Sequence, residues 1–132
     1  MLEHFDEEEV KTLSPLVVAY IGDAYFHLYV RTRLLNVTRK ISKLHDLSSE
    51  IVSAVAQAAA YKEIKLLLTD EEREIFRRGR NAKSHAPRSA TVEEYHASTG
   101  FENLLGELFL RKNFRRLDEI CELAFNAVQK NS

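Results

Sequence analysis

The sequence predicts an all-α fold, and three observations lead to this prediction. Residues 16–30 are apolar at nearly every position, which is typical of a long helix buried on most of its surface. Strong helix-start signals recur along the chain, as at Ser14 and Pro15, where serine can cap a helix whose first residue is proline. With 4 glycines and 2 prolines among 132 residues, the chain has few residues that interrupt helices.

The first half of the chain predicts three helical segments. A short helix is expected within the acidic residues 1–13. The central helix begins at Pro15 and runs to about Leu34, where arginines in the last turn complement the helix dipole. Residues 40–68 follow a helical pattern with a bend near residues 47–49, and their alanine-rich part predicts close packing of a neighbouring helix.

In the second half, capping boxes mark two further helix starts. Thr69 with Glu72 predicts a helix to about Arg78, and Thr91 with Glu94 predicts a short helix that follows. Gly100 is expected to kink the chain. Two more helices are then predicted over about 101–110 and 115–128.

The composition is that of one globular domain, so we expect residues 1–132 to form a single domain. Hydrophobic residues make up 45% of the chain, and the nearly balanced charges leave a net charge of −1. Binding of nucleic acid would therefore require a local basic patch. The single cysteine, Cys121, excludes an intrachain disulfide framework and a cysteine-based zinc site, and we interpret it as a core residue.

A membrane location is not expected. No apolar run reaches the roughly 18–20 residues that a membrane span requires. Acidic residues such as Glu3, Asp6 and Glu7 near the start argue against a signal peptide. We therefore expect a cytoplasmic protein.

One carboxylate, Asp23, interrupts the apolar central helix. Its neighbours on the helix include Ala19, Tyr20 and Phe26. An acid on such a stripe is costly to keep ionised unless a cation, a metal or several donors meet it. Asp23 is therefore the first candidate functional residue. His27, one turn later, is either a ligand or base, or an ordinary hydrogen-bonded histidine.

Glu102 is a second acid on an apolar stripe, because it shares a helical face with Leu105. Taken alone, it is either a functional acid or half of a buried ion pair. Each acid lies near a glycine of its own helix, Gly22 or Gly106, and glycine within a helix permits another helix to come close. We therefore expect the two helices to cross with Asp23 and Glu102 facing each other.

Two facing carboxylates repel each other unless a divalent cation lies between them. Hard oxygen ligands suit Mg²⁺ or Mn²⁺, and Mg²⁺ is often held by one or two carboxylates plus waters. Glu107 differs from Glu102, because Arg111 follows it at i+4, and we expect the two to form an ordinary surface pair.

Residues 77–88 form a basic stretch without acidic residues. Its Gly79 and Pro87 argue against a continued helix, so we expect an exposed loop. The loop is either merely solvated or holds the phosphates of a nucleic acid, which would suit a carboxylate–metal centre that cleaves phosphodiesters. The candidate RNA-contacting residues are Arg77, Arg78, Arg80, Asn81, Lys83, His85 and Arg88.

Two motifs give the sequence a resemblance to the ribonuclease III family. Residues 19–24, Ala-Tyr-Ile-Gly-Asp-Ala, resemble the signature helix, whose typical core is Glu-Phe-Leu-Gly-Asp-Ala. Residues 101–106, Phe-Glu-Asn-Leu-Leu-Gly, resemble the second motif, typically Phe-Glu-Ala-Leu-Leu/Ile-Gly. The Arg-Gly-Arg-Asn-Ala-Lys segment, the short chain and the lack of a double-stranded-RNA-binding domain are typical of the family's Mini-ribonuclease III group.

The resemblance implies that Asp23 and Glu102 are the catalytic, metal-binding acids of a Mg²⁺-dependent endoribonuclease, with Mn²⁺ as a substitute. It implies cleavage of double-stranded RNA to 5′-phosphate and 3′-hydroxyl ends. For the Mini-ribonuclease III group, the implied substrate is precursor 23S ribosomal RNA, with a ribosomal protein as a candidate partner that presents the RNA.

A homodimer is also expected. The resemblance places the signature helices at its interface, and the central helix is too apolar all round for a small monomer to cover. We expect the dimer to bury the aromatic side of this helix, with Tyr25 and Phe26 at the interface.

Two departures from the family pattern affect the site. The typical family members carry an acid at the positions of Ala19 and Thr99, so fewer acidic ligands are expected here and the number of metal ions stays open. Two other functions also stay open. One is a non-catalytic ribonuclease III-like domain that binds RNA or ribosomes, although the presence of both acids argues against it. The other is an all-α Mg²⁺-dependent nucleotide pyrophosphohydrolase, although the remaining Glu pairs lie at helix starts.

Overall fold

The computed structural model describes residues 2–82, 85 and 90–130, and this part of the chain is helical without a strand. The all-α prediction is therefore confirmed. A short 3₁₀ helix, Lys65–Leu67, follows the fourth of the α-helices. The α-helices are α1 (Glu7–Thr12), α2 (Pro15–Leu34), α3 (Ile41–Ile51), α4 (Ala54–Ile64), α5 (Asp70–Arg80), α6 (Val92–Leu110) and α7 (Phe114–Lys130).

The predicted helix-start signals act as expected. The Ser14 hydroxyl accepts a hydrogen bond from the Val17 amide, and Pro15 is the first residue of α2. Thr69 forms a complete capping box with Glu72 at the start of α5, and the corresponding box at Thr91 starts α6. These caps satisfy amide groups that the first helical turn leaves without partners.

Two helix interruptions that the sequence predicts differ in the structure. One lies at a different position, and the other is absent. The break in residues 40–68 lies at Val52 and Ser53 rather than at 47–49, because the Ser53 hydroxyl caps α4. There is no kink at Gly100, since α6 continues through it. A Cβ on Gly100 would lie 2.6 Å from the carbonyl oxygen of Phe76, so this glycine permits a close helix contact.

Helix α6 is central to the fold and packs against α2, α4, α5 and α7. Phe101 of α6 is fully buried and meets Phe26 of α2 edge to face, with ring centroids 5.4 Å apart. On the other side of the core, Tyr61 stacks on Phe76. Cys121 of α7 is buried in the same cluster, which confirms its assignment to the core. This core fixes α2 and α6 against each other.

Only one side of α2 is covered by its own chain. Val17, Ala24, Leu28 and Leu35 lie along the opposite side and are exposed, Leu28 by 61%. We call these four residues the outer face of α2. Among the described residues, none of the helices is long and apolar enough to cross a membrane.

Candidate active site

The site is built where the backbones of α2 and α6 touch. A Cβ on Gly22 would lie 1.8 Å from the carbonyl oxygen of Glu102, and one on Gly106 would lie 2.0 Å from the carbonyl oxygen of Val18. No side chain fits at either position without moving a helix. The predicted crossing of these two helices at their glycines is confirmed.

The crossing brings two acids together, as the sequence predicts. The side chains of Asp23 and Glu102 are hydrogen-bonded to each other. Burial, together with the neighbouring Asp23 carboxyl, holds the pKa of Glu102 far above its usual range. Two carboxyl groups in contact repel each other when both are ionised, so Glu102 holds its proton more strongly as long as no cation is present.

Both acids open onto a cavity of about 440 Å³ between α2, α4 and α6. The cavity has room for a hydrated cation and a phosphate group. Its lining residues are Leu16, Ala19, Tyr20, Asp23, Val52, Ser53, Ala54, Val55, Gln57, Ala90, Tyr95, Ser98, Thr99 and Glu102.

The residues of this site suit a metal ion that needs only a few ligands from the protein. In the part of the chain that the structure describes, no three His, Cys, Asp or Glu side chains cluster as a ready-made metal set. Ala19 and Thr99 do line the cavity, so a methyl and a hydroxyl stand where the family pattern has acids. Two adjacent carboxyl groups beside an open cavity match the way Mg²⁺ binds through one or two carboxylates and keeps its waters.

His27 lies beside the acid pair. Its Nε2 atom is 3.1 Å from Oδ1 of Asp23, one helical turn away. The imidazole is half-buried and is not among the residues that line the cavity. His27 is therefore a hydrogen-bonding neighbour of Asp23 on the same helix.

Gln57 is the residue of this site that the sequence analysis missed. Its side chain is 1% exposed, and Nε2 donates to Oε2 of Glu102 at 3.2 Å and to the carbonyl oxygen of Val52 at 2.9 Å. The signal in the sequence was a single polar residue within the alanine-rich run of α4. A polar residue in such a run does not reveal its hydrogen-bond partner, and the partner of Gln57 is 45 positions away in the sequence.

The basic segment is only partly a loop. Arg77, Arg78 and Arg80 lie in the last turns of α5, so the prediction that a loop begins there was wrong. Gly79 continues the helix because its lack of a side chain lets α5 approach α6; a Cβ would lie 2.8 Å from the Cα of Gly100. Asn81 caps α5, and His85 is exposed. Lys83 and Arg88 lie outside the described residues.

The arginines at the end of α5 have different partners. Arg77 donates to Glu74 at 2.8 Å, and both side chains are about half exposed. Arg78 lies 3.5 Å from Glu107 of α6. Arg80 is exposed and donates a long hydrogen bond to the Asn81 side chain.

Glu107 is buried, which corrects the prediction of a surface pair. It is 9% exposed and lies between Arg78 and Arg111, with Oε1 3.1 Å from Nη2 of Arg111. The pair with Arg111 exists, but Arg78 from another helix joins it. The three side chains connect the end of α5 to the end of α6.

The two residues predicted for a dimer interface make most of their contacts within their own chain. Phe26 is completely buried in the core, so its assignment to an interface was wrong. Tyr25 is half-buried and packs against Phe109, with ring centroids 5.5 Å apart. The apolar residues that α2 leaves exposed are those of its outer face, together with Leu16 and Tyr20 at the cavity.

The chain is similar to known proteins along most of its length. Residues 16–113 match the family model described as the ribonuclease III domain. Mini-ribonuclease 3 of Clostridium tetani is 37% identical, over 98% of this chain and 88% of that protein. Mini-ribonuclease 3 of Thermoanaerobacter sp. is 43% identical, over 97% of this chain and 92% of that protein. The crystal structure of a protein from Fusobacterium nucleatum superposes with a TM-score of 0.80 at 31% identity, covering 89% of this chain and 95% of that one.

Proposed function

The chain belongs to the ribonuclease III family, in its Mini-ribonuclease 3 group, and we propose that it cleaves RNA at the Asp23–Glu102 pair with Mg²⁺ as its cofactor. Membership makes the chain a double-strand-specific endoribonuclease, and proteins of this family generally use a divalent metal ion. The assignment of residues and of Mg²⁺ is our proposal. Mn²⁺ is expected to replace Mg²⁺, since it accepts the same oxygen ligands.

The observation that carries the proposal is that Glu102 is bonded to another acid. The two buried glutamates of the described residues, Glu72 and Glu107, are each met by arginine. Glu102 meets Asp23 and an uncharged amide instead. An acid pair of this kind needs a cation from outside the chain to become fully ionised.

The chain's own residues have defined tasks in this proposal. Asp23 and Glu102 would hold the cation through their carboxylate oxygens, and Glu102 would lose its proton to do so. The Gly22 and Gly106 contact keeps the two carboxylates in place, because the helices cannot slide closer or rotate freely. The bound metal ion would activate water and stabilise the charge on the phosphate during hydrolysis. The products are expected to carry 5′-phosphate and 3′-hydroxyl ends.

The pyrophosphohydrolase alternative lacks support in the geometry. Such an enzyme needs glutamates from several helices around one small pocket. Glu72 is bound by Arg116, and Glu94 completes the capping box of Thr91. Neither lines the cavity that Asp23 and Glu102 share.

The test of the site is Asp23→Asn, assayed on duplex RNA with Mg²⁺ and again with chelator. The change keeps the shape of the side chain but removes its charge, so cleavage should fall roughly 10³-fold, equal to about 4 kcal/mol. Circular dichroism should show an intact fold, and binding of the RNA without metal should stay within a few-fold of wild type. Full activity of the variant in Mg²⁺ would remove Asp23 from the metal site.

We further propose that residues 77–88 contact the RNA backbone through Arg77, Arg78, Arg80, Asn81, Lys83, His85 and Arg88. The net charge of −1 leaves no global attraction for RNA. Arg80 is exposed, and its hydrogen bond goes to the uncharged side chain of Asn81, so its charge is free to meet a phosphate. Duplex RNA is recognised mainly through its backbone and shape.

The double substitution of Arg77 and Arg80 by alanine tests this surface. The slope of log affinity against log salt should fall by roughly 0.7–0.9 for each phosphate that the variant no longer neutralises. Arg115→Ala is the matched control, because Arg115 is a well-exposed arginine on α7. An unchanged slope in the double variant, or an equal change in the control, would contradict the assignment.

We also propose a homodimer that buries the outer face of α2. This face is a row of exposed apolar residues on the helix that carries Asp23, and an isologous pairing would cover it in both protomers. Leu28→Glu should shift sedimentation to the monomer. Leu66→Glu changes an even more exposed leucine outside α2 and should leave assembly unchanged. A wild-type chain that sediments as a monomer at micromolar concentration while active would refute the dimer.

The substrate we propose is precursor 23S ribosomal RNA, which would place the activity in the cytoplasm. Its support is the motif resemblance to the Mini-ribonuclease III group and the match along nearly the whole length of the relatives. We propose that residues 1–132 act as one catalytic domain, with a ribosomal protein presenting the RNA. Cleavage of a synthetic duplex that copies the paired ends of the precursor, with and without ribosomal proteins, tests this choice.

A further inference from the structure

We infer that Gln57 is a positioning residue of the active site, holding Glu102 through Nε2 and receiving, through Oε1, a hydrogen bond from a water of the bound cation. The inference rests on the proposed function, since it concerns the same cation at Asp23 and Glu102. It assigns a task to a residue outside the two family motifs.

The orientation of the Gln57 amide follows from its neighbours. The atom that lies 2.9 Å from the carbonyl oxygen of Val52 must be nitrogen, because a carbonyl oxygen can only accept. The same nitrogen reaches Oε2 of Glu102. An amide nitrogen has two hydrogens, and these two contacts use both. The remaining atom, Oε1, is therefore an acceptor.

This acceptor has no donor. Gln57 Oε1 is fully buried and lacks a hydrogen-bond partner within the described residues. Leaving a buried polar atom unpaired costs about 1–3 kcal/mol, so it persists where something else supplies the donor. Gln57 lines the same cavity as the acid pair. His96 Nδ1 is also unpartnered in this part of the chain, but His96 does not line this cavity.

A cation held by only two carboxylates provides such donors. Mg²⁺ keeps several of its waters when it has few protein ligands. A water bound to a metal ion points its hydrogens outward, so it needs acceptors around it. Ala19 offers none, and the hydroxyl oxygens of Ser98 and Thr99 can accept but already have a partner in the carbonyl oxygen of Tyr95. The Oε1 atom of Gln57 is the acceptor that has no partner, and a small shift of its side chain on cation binding would open it to such a water.

A purely structural role explains less. Gln57 does support the break between α3 and α4 by bonding the Val52 carbonyl. That contact uses one of its two hydrogens, and it accounts neither for the bond to Glu102 nor for the unpaired oxygen. A matched structural amide exists on α6: buried Asn103 donates to the carbonyl oxygen of Ile75 at 2.8 Å, which is a backbone group rather than a carboxylate.

The test titrates MnCl₂ into the protein without RNA and follows free Mn²⁺ by electron paramagnetic resonance. Gln57→Met keeps the length of the side chain and removes all of its hydrogen bonds. We expect the Kd for Mn²⁺ to rise about tenfold, as is common when a group that orients a metal ligand is removed. Asn103→Leu should lower the unfolding temperature as well but leave the Kd within twofold of wild type. A Gln57→Met Kd within twofold of wild type would overturn the inference.

A second variant keeps the inference testable if Gln57→Met does not fold. Gln57→Glu retains an acceptor but loses both donors and adds a charge next to Glu102. Its unfolding temperature without metal should be lower than that of wild type, because two carboxyl groups now meet where Nε2 donated to Glu102. An unfolding temperature equal to that of wild type in chelator would overturn the inference, since it would show that the bond to Glu102 does not matter.

The same titration separates this inference from the proposed function. Wild-type protein that binds no Mn²⁺, or Asp23→Asn that binds it as tightly as wild type, would refute the metal site itself. Normal binding by wild type, loss in Asp23→Asn and full binding in Gln57→Met would refute only the task of Gln57.

Discussion

Two glutamates, the buried Glu72 and the partly buried Glu102, meet opposite kinds of neighbour. Glu72 at the start of α5 receives two hydrogen bonds from Arg116, at 2.7 and 2.9 Å, and caps its own helix through Thr69. Glu102 meets Asp23, a second carboxyl. The first site is complete within the chain, whereas the second becomes fully ionised only with a cation from outside.

The pKa values of the two acids reflect this difference. Burial raises the pKa of Glu72, but the Arg116 guanidinium and the bonds from Thr69 outweigh it and hold the pKa below its ordinary value. Burial raises the pKa of Glu102, and Asp23 raises it further. Burial alone thus does not mark a functional acid. The sign of the neighbouring charge separates a structural glutamate from a metal ligand.

The largest expected effect is that of Glu102→Gln on cleavage. We expect a loss of roughly 10³-fold, because the amide cannot supply a negative charge to the cation. The unfolding temperature of the metal-free protein should not fall, since the glutamine replaces a carboxyl that already carries a proton there. Cleavage assays measure the loss of activity, and thermal unfolding in chelator measures the unfolding temperature of the metal-free protein. A strongly destabilised variant would place Glu102 in the same structural class as Glu72.

The helix crossing should be the next most sensitive feature. Gly22→Ala places a methyl group against the carbonyl of Glu102, so the helices must separate and the acids must part. We expect a loss of about 1–3 kcal/mol in the free energy of unfolding, measured with urea, and a clear loss of Mn²⁺ affinity. Ala24→Gly on the outer face of α2 is the control, and it should cost only about 1 kcal/mol, with unchanged metal binding. Stabilisation by Gly22→Ala would contradict the close contact.

Glu72→Gln should show the reverse of the pattern at Glu102. We expect a loss of about 1–3 kcal/mol in the free energy of unfolding, because Arg116 is left without its carboxylate. Cleavage per folded molecule should stay within about twofold of wild type, since Glu72 is remote from the cavity. Urea unfolding measures the loss of stability. A cleavage assay at a temperature where the variant is folded measures the activity per folded molecule. A large loss of activity in fully folded protein would break the comparison.

The same substitution predicts a pH dependence. Because the folded state holds the pKa of Glu72 below its ordinary value of 4.5, the ionised carboxylate stabilises the fold above pH 4.5. This contribution is lost as the pH falls through the folded-state pKa. Unfolding free energies measured from pH 7 down to pH 3 should therefore decline less steeply in Glu72→Gln than in wild type. Parallel declines would show that the Arg116 bonds do not lower the pKa of Glu72.

Glu107→Gln should have the smallest effect of the buried acids. Its two arginines, Arg78 and Arg111, are both partly exposed, so water can solvate them after the change. We expect less than about 1 kcal/mol in stability and cleavage within about threefold of wild type. A loss comparable with that of Glu102→Gln would show that Glu107 takes part in catalysis.

The sequence predicted the elements that depend on local chemistry. The caps at Ser14, Thr69 and Thr91 need only residues three positions apart. Asp23 and Glu102 could be identified as candidates because each is a charged residue among apolar residues on one face of its helix. The prediction that the two acids face each other followed from the glycine near each of them, since glycine lets two helices come close.

Other features depend on contacts that sequence spacing does not reveal. Glycine permits both turns and close helix packing, so Gly79 and Gly100 were interpreted as breaks although they lie at a crossing of α5 and α6. The second partner of Glu107 is on another helix, 29 positions earlier. The role of Gln57 depends on a bond to a residue 45 positions away.

The Arg78–Glu107 contact also has a consequence for protein engineering. It ties the end of α5 to α6, and the capping box at Thr91 independently fixes where α6 begins. The contacts at both ends of the sequence between Arg80 and Thr91 are therefore made without it. Chimeras that take residues 81–89 from other relatives and keep Ala90, which lines the cavity, should retain the acid pair, and their affinity for duplex RNA would report on the basic segment.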